Sequence, residues 1–106
     1  MISAILAAAL VQSAAINSQR DKYISCLDAA EASAKAQKMP VDAFEAHLRQ
    51  TCAAAETSFK ASLIAFDMKN KVARKQATAD AQLQADDFVV GSVYRYKKAT
   101  SRGERG

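Results

Sequence analysis

Apolar positions recur at steps of three and four along most of the chain, most clearly between residues 41 and 66. Val41, Phe44, Leu48, Cys52, Ala55, Phe59, Leu63 and Phe66 fall on one face of a helix. Away from that face stand Glu45 and Arg49, Glu56 and Lys60, and Asp67 and Lys71, three i,i+4 pairs repeated every 11 residues. Eleven residues make about three helical turns, so the pairs predict one straight solvated stripe on a helix over 41–69.

Upstream, Ser18 followed by Asp21 has the spacing of an N-cap with an acid in the first turn, which predicts a helix over 18–38. Tyr23, Cys26 or Leu27, Ala30 and Ala34 form its apolar face, and Glu31 with Lys35 makes an i,i+4 pair expected on the solvent side. Pro40 cannot lie inside a helix and disfavours helical angles at Met39, so Met39-Pro40 is read as a turn. Pro is tolerated in the first turn of the next helix, where Asp42 and Glu45 supply an acidic start.

Past Phe66 the apolar seam meets Asn70 and Arg74, and Asn70 suits a C-terminal cap. A break near 69–73 and a third helix over 73–98 follow, carried by Ala77, Ala81, Phe88 and Val89, then Val93 and Tyr96. A single long helix is the alternative, since Phe44, Phe66 and Phe88 stand 22 residues apart. Phe88-Val89-Val90 and Val93-Tyr94 favour strand, and Gly91 weakens a helix. A strand needs a partner, however, and no second candidate exists, so helix is expected. Residues 100–106 (TSRGERG) read as a disordered polar tail.

The two cysteines, Cys26 and Cys52, each lie 13 residues from Met39. A turn at Met39-Pro40 would bring them level across two antiparallel arms. The C-x25-C spacing matches neither a CxxC redox motif nor a zinc knuckle, and one His leaves a Cys/His zinc site short of ligands. The fold expected is therefore all-α: a disulfide-clasped antiparallel helical hairpin, with a third helix completing a small, coiled-coil-like bundle.

Composition and charge change this picture at the two ends. Residues 1–15 (MISAILAAALVQSAA) carry no charged side chain, have the length of an export signal's apolar core, and end in small residues. Cleavage after Ala15 would leave Ile16 as the N-terminus. An uncleaved membrane anchor is the alternative, although a span needs about 20 apolar residues. Export places the cysteines where disulfides persist, in the periplasm or outside the cell.

The formal charge of +4 is unevenly spread. Through Val93, ten basic residues balance ten acidic ones. The excess lies in Arg95, Lys97, Lys98, Arg102 and Arg105, against Glu104 alone. Those five cations are the candidate contact for an anionic partner, either an acidic protein or an anionic envelope component. Nucleic acid is not expected for an exported chain. A solvated helix end, with cations opposing the macrodipole, is the plainer reading of the same residues.

Catalytic chemistry finds little support. His47 sits at the edge of an apolar face, and five positions to Cys52 turn about 500° around a helix, so the two do not share a face. Asp86 and Asp87, as helical neighbours, diverge by about 100°. There is no phosphate-binding Gly-rich loop, GxSxG or HExxH. No enzyme activity, cofactor, metal or small-molecule substrate is expected, and self-association through helix faces is left open.

The apolar run ISAILAAAL, the C-x25-C pair, and the stretches FEAHLRQTCAAAE and LIAFDMKNKVARK resemble the small exported Ala-rich helical proteins of Gram-negative bacteria. The resemblance implies export and a helical domain, and it carries no activity. A fainter likeness to cysteine-containing lysozyme-inhibitor-like domains transfers no residue, since this chain has no Trp and a single cysteine pair.

Overall fold

The computed structural model describes the backbone of residues 2–105 and the side chains of residues 14–101. Four helices follow one another: α1 (Ile2–Ala36), α2 (Val41–Thr51), α3 (Ala53–Lys69) and α4 (Arg74–Arg105). A disulfide joins Cys26 of α1 to Cys52, with the Cα atoms 5.8 Å apart, inside the usual range for such a bond.

Neither Gly nor Pro occurs before Pro40, and Ala is the strongest helix former, so nothing stops α1 once it has started. Ser18 is consequently interior to α1 and does not cap a new helix, which corrects the expected start there. The helix ends in a Schellman motif. The Lys38 N–H donates to the Lys35 carbonyl (3.1 Å) and the Met39 N–H to the Ala34 carbonyl (3.0 Å), with Lys38 left-handed at φ 55°. Pro40 then serves as the N-cap of α2.

The end of α3 repeats this device. The Lys71 N–H donates to Met68 (3.1 Å) and the Val72 N–H to Asp67 (3.0 Å), with Lys71 at φ 66°. Asn70 caps the helix, its side-chain amide donating to the Phe66 carbonyl at 2.8 Å. Both turns place lysine where glycine is usual.

The expected single helix over 41–69 is interrupted at Cys52, whose backbone leaves helical angles (φ −106°, ψ 17°). The ladder continues across it, from the Cys52 N–H to Leu48 (3.0 Å) and from the Glu56 N–H to the Cys52 carbonyl (2.9 Å). The residue tied covalently to α1 is thus the residue at which the middle rod is irregular. In α4 the segment from Phe88 to Tyr96 is helical despite its strand preference, burying Val89, Ser92 and Tyr96 in line with Ala77, Ala81 and Ala85. Burial of one face overrides local propensity. The backbone of α4 also runs beyond residue 98 to Arg105, where an irregular tail was expected from Thr100. Gly106 and the side chains of residues 102–105 lie outside the described residues.

Two aromatic groups fill the interior. Tyr23, Phe59 and Phe88, from α1, α3 and α4, meet with ring centroids 5.7–6.0 Å apart. Phe44 of α2 stacks on Tyr96 of α4 at 3.9 Å. Hydrogen bonds set the register. The Tyr23 hydroxyl lies 3.2 Å from the Ala85 carbonyl and the Tyr96 hydroxyl 3.4 Å from the Ala34 carbonyl, each pair 62 residues apart. An equal offset at two levels means that α1 and α4 run parallel. The α2–α3 rod runs antiparallel to α1, since Cys26 meets Cys52 while Tyr23 meets Phe59.

Candidate functional site

This topology brings the C-terminal end of α1, the start of α2 and the later turns of α4 to one end of the molecule. Among the candidate cations, Lys97 and Lys98 are exposed there. Lys97 borders a shallow groove with Val41, Asp42, Glu45 and Val93. The Lys98 ammonium stands 5.2 Å over the Tyr94 ring, a cation–π distance. The side chains of Arg102 and Arg105 lie outside the described residues.

Arg95 is engaged differently. Its guanidinium lies 3.8 Å from the Glu31 carboxylate of α1 and donates to the Ser92 hydroxyl at 3.1 Å. Arg95 therefore belongs to the α1–α4 contact rather than to a free basic tail. Glu31 is buried (8% exposed) and faces α4, which corrects its expected pairing with Lys35 on the solvent side. The packing of α4 on α1 turns this face inward.

The same end gains two cations that sequence reasoning passed over. Lys35 and Lys38 line an open cleft of about 540 Å³, together with Met39, Pro40, Val41 and Tyr96. Neither lysine makes an ion pair among the described residues. The cleft's upper wall is Ala99 and Thr100, with the Thr100 hydroxyl already donating to the Tyr96 carbonyl. Only the parallel docking of α4 on α1 puts residues 35–41 beside 96–100. Met39-Pro40 marked the turn in the sequence, whereas nothing local marked the cleft, which needs α4 beside it.

The stripe of i,i+4 pairs is likewise partly internal. Arg49 bonds Glu45 (3.1 Å) and also reaches Asp86 of α4 (3.0 Å). Lys60 bridges Glu56 (3.3 Å) and Gln82 of α4 (2.8 Å), and Gln82 donates to Asp86 at 2.9 Å. The guanidinium of Arg49 beside it, and then the Gln82 amide, hold the Asp86 carboxyl below its ordinary value; the Arg49 guanidinium is raised in turn by its bond to Asp86. The Tyr23 hydroxyl lies 3.3 Å from Glu56, and burial, reinforced by that negative charge, drives its phenol well above the usual value. The third pair is different: α3 stops at Lys69, and Lys71 belongs to the turn.

His47 is half-buried, and its Nε2 is shielded without a hydrogen-bond partner among the described residues. Asp87 is exposed, while Asp86 turns to Arg49, so the two carboxylates do not converge. No helix among the described residues is long and apolar enough to cross a membrane. No family model, curated protein or solved structure matches the chain.

Proposed function

We propose that this is an exported, non-enzymatic helical protein of the periplasm or cell exterior, a clasped hairpin closed into a small bundle by α4. Its binding surface is the basic end formed by Lys35, Lys38, Lys97 and Lys98. The observation that carries the export reading is the Cys26–Cys52 disulfide, which fits an oxidising compartment. At the expected cleavage point Ala14 and Ala15 are exposed and Ile16 is buried in the core. The four lysines favour an anionic partner in the envelope, held by charge in a salt-dependent way.

N-terminal mass spectrometry of the native protein tests the reading, with Ile16 as the expected first residue. Retained residues 1–15 in a membrane fraction would replace it with a tethered protein. Two alkylatable thiols in freshly isolated protein would remove the oxidising compartment altogether.

A further inference from the structure

We propose that the cleft between the α1–α2 turn and α4 is a binding site for a small anionic amphiphile, a single apolar chain ending in a carboxylate or phosphate. The inference rests on the reading of the basic end as the binding surface and assigns that surface its ligand. A volume of about 540 Å³ falls within the roughly 300–1,000 Å³ typical of small-molecule sites. Met39, Pro40, Val41 and Ala99 offer apolar contact to a hydrocarbon chain, and no carboxylate among the described residues lines the cleft. Lys35 and Lys38 supply two positive charges with no ion pair among the described residues. The start of α2 borders the cleft at Pro40–Val41, and Asp42 in its first turn already offsets the helix dipole there, so the charge of the cleft is that of the two lysines. An apolar floor beside positive charge complements a head-and-tail anion; a free anion such as inorganic phosphate would leave the floor unused.

Lys38 occupies the left-handed C′ position, where glycine would be easier, as Lys71 does at the end of α3.

The test titrates the disulfide-bonded protein with octyl phosphate, and separately with octyl glucoside and inorganic phosphate, following methyl resonances of Met39, Val41 and Ala99. Saturable shifts with octyl phosphate, at least about tenfold tighter than with either control, are expected; the paired Lys35→Gln and Lys38→Gln change should weaken binding by roughly tenfold. Lys38→Gly should raise the unfolding temperature while weakening binding, a split that a merely structural lysine would not give. Equal binding of octyl glucoside, shifts at another surface, or no saturable shift would each overturn the proposal. So would co-sedimentation with phosphatidylglycerol vesicles that the cleft variants impair while octyl phosphate leaves the methyls unmoved, since the occupant would then be a membrane surface. Those failures leave the export reading standing, because that is decided by the N-terminal mass and the thiol count.

Discussion

The hydroxyl of Tyr96, near the end of α4, donates its hydrogen bond to the carbonyl of Met39 in the turn between α1 and α2. One side chain therefore fastens the last helix to the first turn while its ring stacks on Phe44. Tyr96→Phe keeps the ring and strands the carbonyl, so a loss of about 1–2 kcal/mol is expected. Tyr96→Ala also empties the stack and should cost about 3–5 kcal/mol. Urea unfolding of the two variants checks the order. Equal losses would mean that the hydrogen bond contributes the whole effect.

Reducing the clasp should be costly. Closing the 26-residue separation between Cys26 and Cys52 is worth about 3.5 kcal/mol on chain entropy alone. Such a share is large in a domain whose net stability is about 5–15 kcal/mol. Unfolding with and without reductant, alongside a Cys26→Ala/Cys52→Ala variant, measures it. The variant without reductant should match the reduced parent.

Glycine is absent where the backbone asks for it and present where a helix does not. Lys71 sits left-handed at the end of α3, and Lys71→Gly should stabilise by about 0.5–1 kcal/mol. Gly91 lies within α4, and a Cβ there would meet only the Arg95 guanidinium at 3.5 Å, an ordinary contact. Gly91→Ala should add up to about 1 kcal/mol. Thermal melts of the single and double variants should show near-additive gains, since the sites are far apart in sequence and share no described partner.

Stability should fall in acid through Asp86. Arg49 holds its folded-state carboxyl below the unfolded value of about 3.9, so the unfolded chain binds the proton first. The contribution is present above about pH 4 and is lost as pH falls through the depressed folded value. Asp86→Asn should flatten the acid limb of a stability–pH curve. An unchanged limb would show that solvent screens this half-exposed pair.

Tyr23 has the opposite sense. Its phenol is raised by burial and by Glu56, so its contribution is full below the unfolded value of about 10 and is lost as pH climbs toward the raised one. Phenolate absorbance should show a tyrosine that titrates only with alkaline unfolding, and Tyr23→Phe should remove that step.

The middle helices were legible because their apolar face is made of large residues at regular steps: Phe44, Leu48, Phe59 and Leu63 are all buried. The disulfide was legible because the Met39-Pro40 turn makes the spacing symmetric. Ser18 misled, since a capping side chain marks a start only where something ends the helix before it, and here Ala-rich sequence runs straight through. Glu31 misled for a different reason. Its i,i+4 partner is local, whereas its burial is decided by α4, more than 60 residues away in sequence. The interruption at Cys52 has no propensity signal, and the cleft exists only through contact between residues distant in the chain.

The 62-residue offset between α1 and α4 carries a kinetic consequence. Helices joined by a turn can find each other quickly, whereas the parallel pair must wait until the intervening rod is laid down. The disulfide holds the first two arms together even when α4 is away, and α4 has no covalent tie of its own. Amide hydrogen exchange should therefore report two tiers, with α4 opening as a unit at lower free energy than the segments around Cys26 and Cys52. When α4 lifts, it takes with it one wall of the cleft and the Tyr96 anchor, so occupancy of the cleft should slow exchange along the whole helix.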